Sequence, residues 1–123
     1  MLDVKPRRVL VCGGRDYDDQ ATVNRVLDSL LPDLQLLIHG CATGADTCAQ
    51  RWATRKLEEG ADILVDRYPA DWKRHGKSAG PIRNVQMLVH GKPDLVVAFR
   101  GGRGTENMVT RAIAAGVTVW RIS

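Results

Sequence analysis

Apolar positions along the chain fall into two alternating rhythms. Arg8-Val-Leu-Val-Cys12 is a short apolar run that stops at Gly13-Gly14 and predicts a first strand. Val23, Val26, Leu27, Leu30 and Leu31 then recur at helical spacing, with Asp18 or Asp19 as cap and Pro32 as terminator. Leu36-Leu37-Ile38 predicts a second strand closed by Gly40, and Ala45, Cys48, Ala49, Trp52, Ala53 and Leu57 form a second helical stripe ended by Gly60. Ile63-Leu64-Val65 reads as a third strand. The stretch from Tyr68 to Gly80 has no period, after which Pro81 suits the first turn of a helix with Ile82, Val85, Leu88 and Val89 inward. Leu95 to Phe99 is the most strand-like run. A helix with Met108, Val109, Ala112 and Ile113 inward follows it, and Val117 to Trp120 makes a fifth strand.

Strands without strict alternation, separated by helices, predict a sheet covered on both faces. With right-handed crossovers this is a single Rossmann-like three-layer α/β domain over residues 1–123, built on a five-stranded, mainly parallel sheet. Ligands of such sheets sit beyond the carboxyl ends of the strands, where strand order reverses. That edge should carry three glycine-rich loops: Gly13-Gly14-Arg15-Asp16, Gly40-Cys-Ala-Thr43-Gly44 and Gly101-Gly102-Arg103-Gly104-Thr105.

Composition narrows the classes further. Of 123 residues, 44% are hydrophobic and 26% charged, which argues against disorder and coiled coil. No apolar run approaches the roughly 18 residues of a membrane span. The leading residues, with Asp3 and a short apolar stretch, do not read as a signal peptide, so a cytoplasmic chain is expected. Cys12, Cys41 and Cys48 are odd in number and lack CxxC spacing, which predicts free thiols in a reducing compartment. His39 and Cys41 form an HxC pair, but a structural zinc site wants a closed set of four ligands. No metal and no cofactor are expected. The net charge of +4 is below that of a dedicated DNA-binding domain. Lys73, Arg74, His75, Lys77 and Arg83 nonetheless crowd one region, as a solvated loop or an anion site.

The loop Arg100 to Thr105 lies between a strand and an amphipathic helix. Its glycines allow close backbone approach and the helix start offers free N–H groups, so phosphate is the natural guest; the bland alternative is a tight turn with Thr105 as cap. It is not a dinucleotide fingerprint, because Asn107 stands where the third glycine belongs. Gly76-Lys77-Ser78 imitates the end of a P-loop, but Asp71 occupies the first glycine position and the segment lies in the irregular stretch. Thr43 is a candidate cap for the second helix. Asp46 either complements that helix dipole or accepts from a ribose, and Asp16 either binds ligand or pairs with Arg15. Asp71 and Trp72 are candidate lid residues, although Trp72 also suits a surface-covering role. Arg83 and Asn84 fall in the first turn of the helix near Pro81, where an arginine opposes the dipole unless an anion offsets it.

Five segments in order resemble a known family: Val11-Cys-Gly-Gly-Arg-Asp16, His39-Gly-x-Ala-Thr-Gly-Ala-Asp46, Tyr68-Pro-Ala-Asp-Trp72, Gly80-Pro-Ile-Arg-Asn84 and Gly101-Gly-Arg-Gly-Thr105. Together they are similar to the YspA-type branch of the SLOG superfamily, the Rossmann-like group that includes the LOG and the Smf/DprA proteins. The resemblance runs from Arg8 to Ile122. It implies binding, sensing or processing of a nucleotide-derived small molecule at Gly13, Gly14, Arg15, Asp16, Gly40, Thr43, Gly44, Asp46, Arg83, Asn84, Gly101, Gly102, Arg103, Gly104 and Thr105. It also implies a homodimer.

LOG enzymes hydrolyse nucleoside monophosphates with a PGGxGTxxE pattern and an arginine on the preceding helix. Arg83 matches that arginine, Arg100 replaces the proline, and Met108 stands where the catalytic glutamate belongs. Ligand binding is therefore the leading expectation. A phosphoribohydrolase using Asp16, Asp46 or Glu106 is the enzyme alternative, and single-stranded nucleic-acid binding a third class.

Overall fold

The computed structural model describes residues 5–123, so the reading of the leading residues, Asp3 included, lies outside the described residues. The chain runs β1 (Arg8–Cys12), α1 (Gln20–Leu30), β2 (Leu36–His39), α2 (Ala45–Glu58), β3 (Leu64–Arg67), α3 (Trp72–His75), a 3₁₀ turn (Gly76–Ser78), α4 (Ala79–Gly91), β4 (Leu95–Ala98), α5 (Arg103–Ala114) and β5 (Thr118–Arg121). The sheet order is β3-β2-β1-β4-β5, and every neighbouring pair is parallel. The fold is the expected Rossmann-like α/β architecture, with a sheet that is wholly rather than mainly parallel.

Alternate residues of the buried strands serve different layers. Val9, Val11, Leu37, Leu95 and Val97 pack with Val23, Leu27 and Trp52 on the face covered by α1 and α2. Leu10, Ile38, Val96 and Ala98 pack with Met87, Met108 and Ala112 on the face covered by α4 and α5. Helices switch face after β3, so strand order reverses between β1 and β4, and their carboxyl ends open a crevice.

Local sequence explains most element ends. The carboxylate of Asp19 caps α1 by accepting from Thr22 N at 3.1 Å and Thr22 Oγ1 at 2.7 Å. The edge strands start one residue later than the sequence pattern predicts, and their outer residues stay partly exposed because each has one strand neighbour.

Four residues expected to face inward do not. Leu57 and Ile113 are exposed, Ile113 at 63%. On α4 the buried residues are Ala79, Asn84, Met87 and Gly91, whereas Val85 and Val89 face solvent. Close packing fixes one end of this face: a Cβ on Gly91 would stand 3.0 Å from Ile38 Cδ1, so a glycine holds that position. Asn84 is admitted there because its amide bonds α5 at Gly104 O and Asn107 Oδ1.

Candidate functional site

The three glycine-rich loops meet at the crevice and fasten to one another. Gly14 N donates to Arg100 O at 3.0 Å and Ala45 N donates to Gly14 O at 3.1 Å. Gly44 sits at φ +80°, where a side chain would run into the backbone of Gly14 and Arg15, and a Cβ on Gly101 would collide with Thr105 Oγ1 and Gly14 N. These glycines serve loop-on-loop packing. Gly102 and Gly104 differ, because a Cβ on either would meet nothing within 4 Å.

Neither expected threonine caps a helix. The caps are Gly44 for α2 and Gly102 for α5, and neither end has a side-chain cap. Thr43 is exposed, because α2 begins two residues after it and Gly44 makes the turn. Thr105 lies buried within the first turn of α5, under Gly101. The first-turn N–H groups of α5 therefore lack intrahelical acceptors beside the open Gly102 and Gly104.

These groups border a cleft of about 580 Å³. The cleft brings together Gly13, Gly14, Arg15, Asp16, Asp46, Arg83, Asn84, Gly102, Arg103, Gly104 and Thr105. Gly40, Thr43, Gly44 and Gly101 do not line it. Cys12, Met87 and Asn107, which the sequence reading did not place in the site, also line it, as do Trp72, a candidate lid residue, and Lys77 of the basic cluster. The Tyr68 to Trp72 segment and the basic cluster beyond it were the available signal. Of that cluster, Lys77 and Arg83 reach the cleft, whereas Lys73, Arg74 and His75 do not line it. Four cations, Arg15, Lys77, Arg83 and Arg103, share it with the two carboxylates Asp16 and Asp46.

Arg83 falls in the second turn of α4, not the first, because the helix starts at Ala79. Its Nη1 donates to Gly40 O and its Nε to Asn84 Oδ1 at 3.2 Å. Burial lowers its pKa, with Asp46 acting in the opposite direction. Asp46 is itself buried, and its Oδ2 accepts from Gly40 N and Ala42 N, each at 3.1 Å. Burial raises its pKa, partly opposed by the Ala42 bond and by His39 and Arg83. Cys12 is pushed up to about 12 by burial first and Asp46 second, which keeps the thiol protonated.

His39 is buried in a polar chain beside the cleft. Its Nδ1 accepts from Cys41 N at 3.1 Å, which assigns the proton to Nε2 and makes Nε2 the donor to Gln50 Oε1 at 2.7 Å. Gln50 Oε1 also accepts from Arg67 Nε at 3.1 Å. A wider groove of about 700 Å³ opens over His39, Gln50, Arg51 and Arg67, sharing Ala42 and Asp46 with the first cleft. No glycine lines it and it lies off the β1/β4 crevice, so the glycine-lined cleft is the stronger candidate.

Of the acids proposed for hydrolysis, Asp16 and Asp46 line the cleft and Glu106 does not. Glu106 holds Arg121 through two 2.9 Å bonds outside the cleft. Met108 is fully buried beneath α5 and does not line the cleft. All three cysteines are free. Among the described residues no group of three or more His, Cys, Asp and Glu side chains gathers as a metal site, and no helix is long and apolar enough to cross a membrane.

This topology and crevice define a Rossmann-like SLOG-type chain. It belongs to the YspA, cpYpsA-related SLOG family, which it matches over residues 7–75. It is 39% identical over 121 residues to the Gene 61 protein of Mycobacterium phage D29, covering 92% of this chain and 94% of that protein. Among solved structures it is similar to DNA processing protein A (DprA) from Streptococcus pneumoniae, with a TM-score of 0.70 and 24% identity. That match covers 94% of this chain and 50% of the DprA chain, so it supports the fold.

Proposed function

We propose that the chain binds a nucleotide-derived small molecule in this cleft, with a phosphate at the start of α5 and Arg83 as counter-charge. One observation carries the reading: the uncapped first turn of α5 coincides with Gly102 and Gly104, whose missing side chains serve no packing need. Family membership and a fold shared with a DNA processing protein are consistent with a nucleotide or nucleic-acid ligand. The cleft volume also suits a small molecule, within the range of about 300–1,000 Å³ usual for such sites.

The test is a thermal-shift series with adenosine 5′-monophosphate and ADP-ribose. A ligand at a hundred times its dissociation constant stabilises by about 2.7 kcal/mol, several degrees for a domain near this size. Gly102→Val should abolish the shift while costing the free protein about 1 kcal/mol at most. No shift for the wild type at millimolar ligand would refute the proposal.

Binding is favoured over hydrolysis because Glu106 is engaged by Arg121 and Met108 is buried. It is favoured over single-stranded nucleic acid because the four cations converge in one cleft with two carboxylates. A homodimer is part of the same proposal. Ile82, Val85 and Val89 recur at i, i+3 and i+7 on the outer side of α4, an apolar stripe suited to a second copy of the helix.

A further inference from the structure

Trp72 stands apart from the other two tryptophans. Trp52 is buried in one core layer and donates its indole N–H to Asp28 Oδ1 at 2.9 Å, and Trp120 packs against the same layer. Trp72 is 47% exposed, packs against neither core layer and lines the glycine-rich cleft. Its ring stands at the rim of the cleft and belongs to neither core layer. Its ring is nevertheless positioned. Asp71 caps α3 by accepting from Arg74 N at 3.1 Å, and a Cβ on Gly80 would stand 3.5 Å from Trp72 Cη2, so α4 supports one edge of the ring. The guanidinium carbon of Arg15 lies 5.0 Å from the ring centroid, so a face of the indole already receives a planar cation.

We infer that Trp72 is the platform on which an aromatic base stacks, so that the cleft selects a ligand carrying both a planar ring and a phosphate. The inference rests on the proposed binding at the start of α5. A large apolar face held at the wall of a polar cleft gains by being covered, and a flat π-system covers it best. The Arg15 contact demonstrates that the face accepts a flat partner, and a base entering the cleft takes that place. The platform and the uncapped helix start border one cleft, which matches a molecule whose ring and phosphate are joined by a sugar. Because stacking reads no hydrogen-bond pattern, Trp72 favours a base over no base more than one base over another.

The experiment compares adenosine 5′-monophosphate with ribose 5-phosphate by calorimetry, and follows tryptophan emission during each titration. In the wild type the base should add about five- to a hundredfold in affinity, the range that one stacked base contributes. The nucleotide should quench emission and ribose 5-phosphate should not. Trp72→Leu should bring the two ligands to equal affinity and remove the quenching, while Trp72→Phe keeps part of the difference. The melting temperature of Trp72→Leu should match the wild type, since the ring supports neither core layer. Equal affinities for the two ligands in the wild type, or an undiminished base preference in Trp72→Leu, would overturn the inference while leaving phosphate binding intact. Failure of both ligands to bind the wild type would sink the binding proposal, and this inference with it.

Discussion

The guanidinium of Arg83 donates to the carbonyl oxygen of Gly40, 43 residues earlier in the chain, and so joins α4 to the loop that follows β2. The bond fixes a cation at the wall of the cleft before any ligand arrives, which lowers the ordering cost of binding an anion.

A test of this link follows from the space around Gly40. A Cβ added there would overlap the Arg83 guanidinium, and the overlap is relieved by moving the flexible arginine rather than any backbone. Gly40→Ala should leave stability within about 1 kcal/mol of the wild type. It should weaken adenosine 5′-monophosphate binding by about tenfold or more, and Arg83→Ala should do the same, because a charge-assisted bond contributes about 1.5–3 kcal/mol. Calorimetry on both variants checks it; wild-type affinity in Gly40→Ala would show that the position of Arg83 is irrelevant.

Neighbouring glycines in the α5 loop should behave oppositely. Gly101→Ala places a methyl against Thr105 Oγ1 and the backbone of Gly13 and Gly14, so we expect a loss of about 1–3 kcal/mol in urea denaturation. Gly102→Ala meets nothing within 4 Å and should cost less, about 1 kcal/mol at most for replacing a glycine N-cap. Equal losses for the two would mean that the loops are not packed as described.

The contrast between these glycines shows what was legible in the sequence. Strand runs such as Val9 to Val11 and Leu95 to Ala98, together with the Asp19 cap, were readable because backbone preference and burial agree locally. All three loops could be recognised as glycine-rich, but not which glycine serves packing and which opens a cleft, since that depends on residues far apart in sequence. The apolar face of α4 was misread for a related reason. Its inward positions are taken by Asn84 and Gly91, set by hydrogen bonds to α5 and by contact with Ile38, which no helical periodicity encodes. Trp72 was visible as a residue, but its separation from both core layers is a tertiary fact.

Acid should erode a bond under α2. Asp28 accepts from Trp52 Nε1 at 2.9 Å and lies 3.1 Å from Lys56 Nζ; the Trp52 bond first, then Lys56, hold its carboxyl below the ordinary range. A depressed folded pKa contributes stability above the unfolded value and loses it as pH falls through the folded one. Asp28→Ala should cost about 1–3 kcal/mol at pH 7, because the Trp52 N–H loses its acceptor. The gap to wild type should narrow below about pH 4. A gap in melting temperature that stays constant from pH 7 to pH 3 would contradict this.

The outer side of α4 gives a test of assembly. Val85 and Val89 are exposed and contribute to neither core layer, so Val85→Glu with Val89→Glu should leave the monomer folded. If this stripe joins two copies, sedimentation should show a dimer for the wild type and a monomer for the double variant. A dimer that survives the change would move the interface elsewhere.

The last expectation separates a binding protein from a hydrolase. The wild-type chain should bind adenosine 5′-monophosphate yet release no adenine above the uncatalysed rate, because no acid of α5 lines the cleft. Glu106 is held by Arg121, and Met108 is fully buried among Met87, Val109 and other residues of the α4–α5 layer. A positioned acid–base group is worth about a hundred- to ten-thousandfold, so its absence should be plain in a chromatographic product assay. Met108→Glu should not restore turnover. It should instead destabilise the protein by several kcal/mol, on the order of the cost of burying a carboxyl without a partner. Asp16 and Asp46 both line the cleft without a salt bridge among the described residues, but Asp46 is buried and accepts from Gly40 N and Ala42 N, so Asp16 is the residue to challenge. Rapid adenine release by the wild type, lost in Asp16→Asn while binding persists, would make the protein an enzyme and assign its acid.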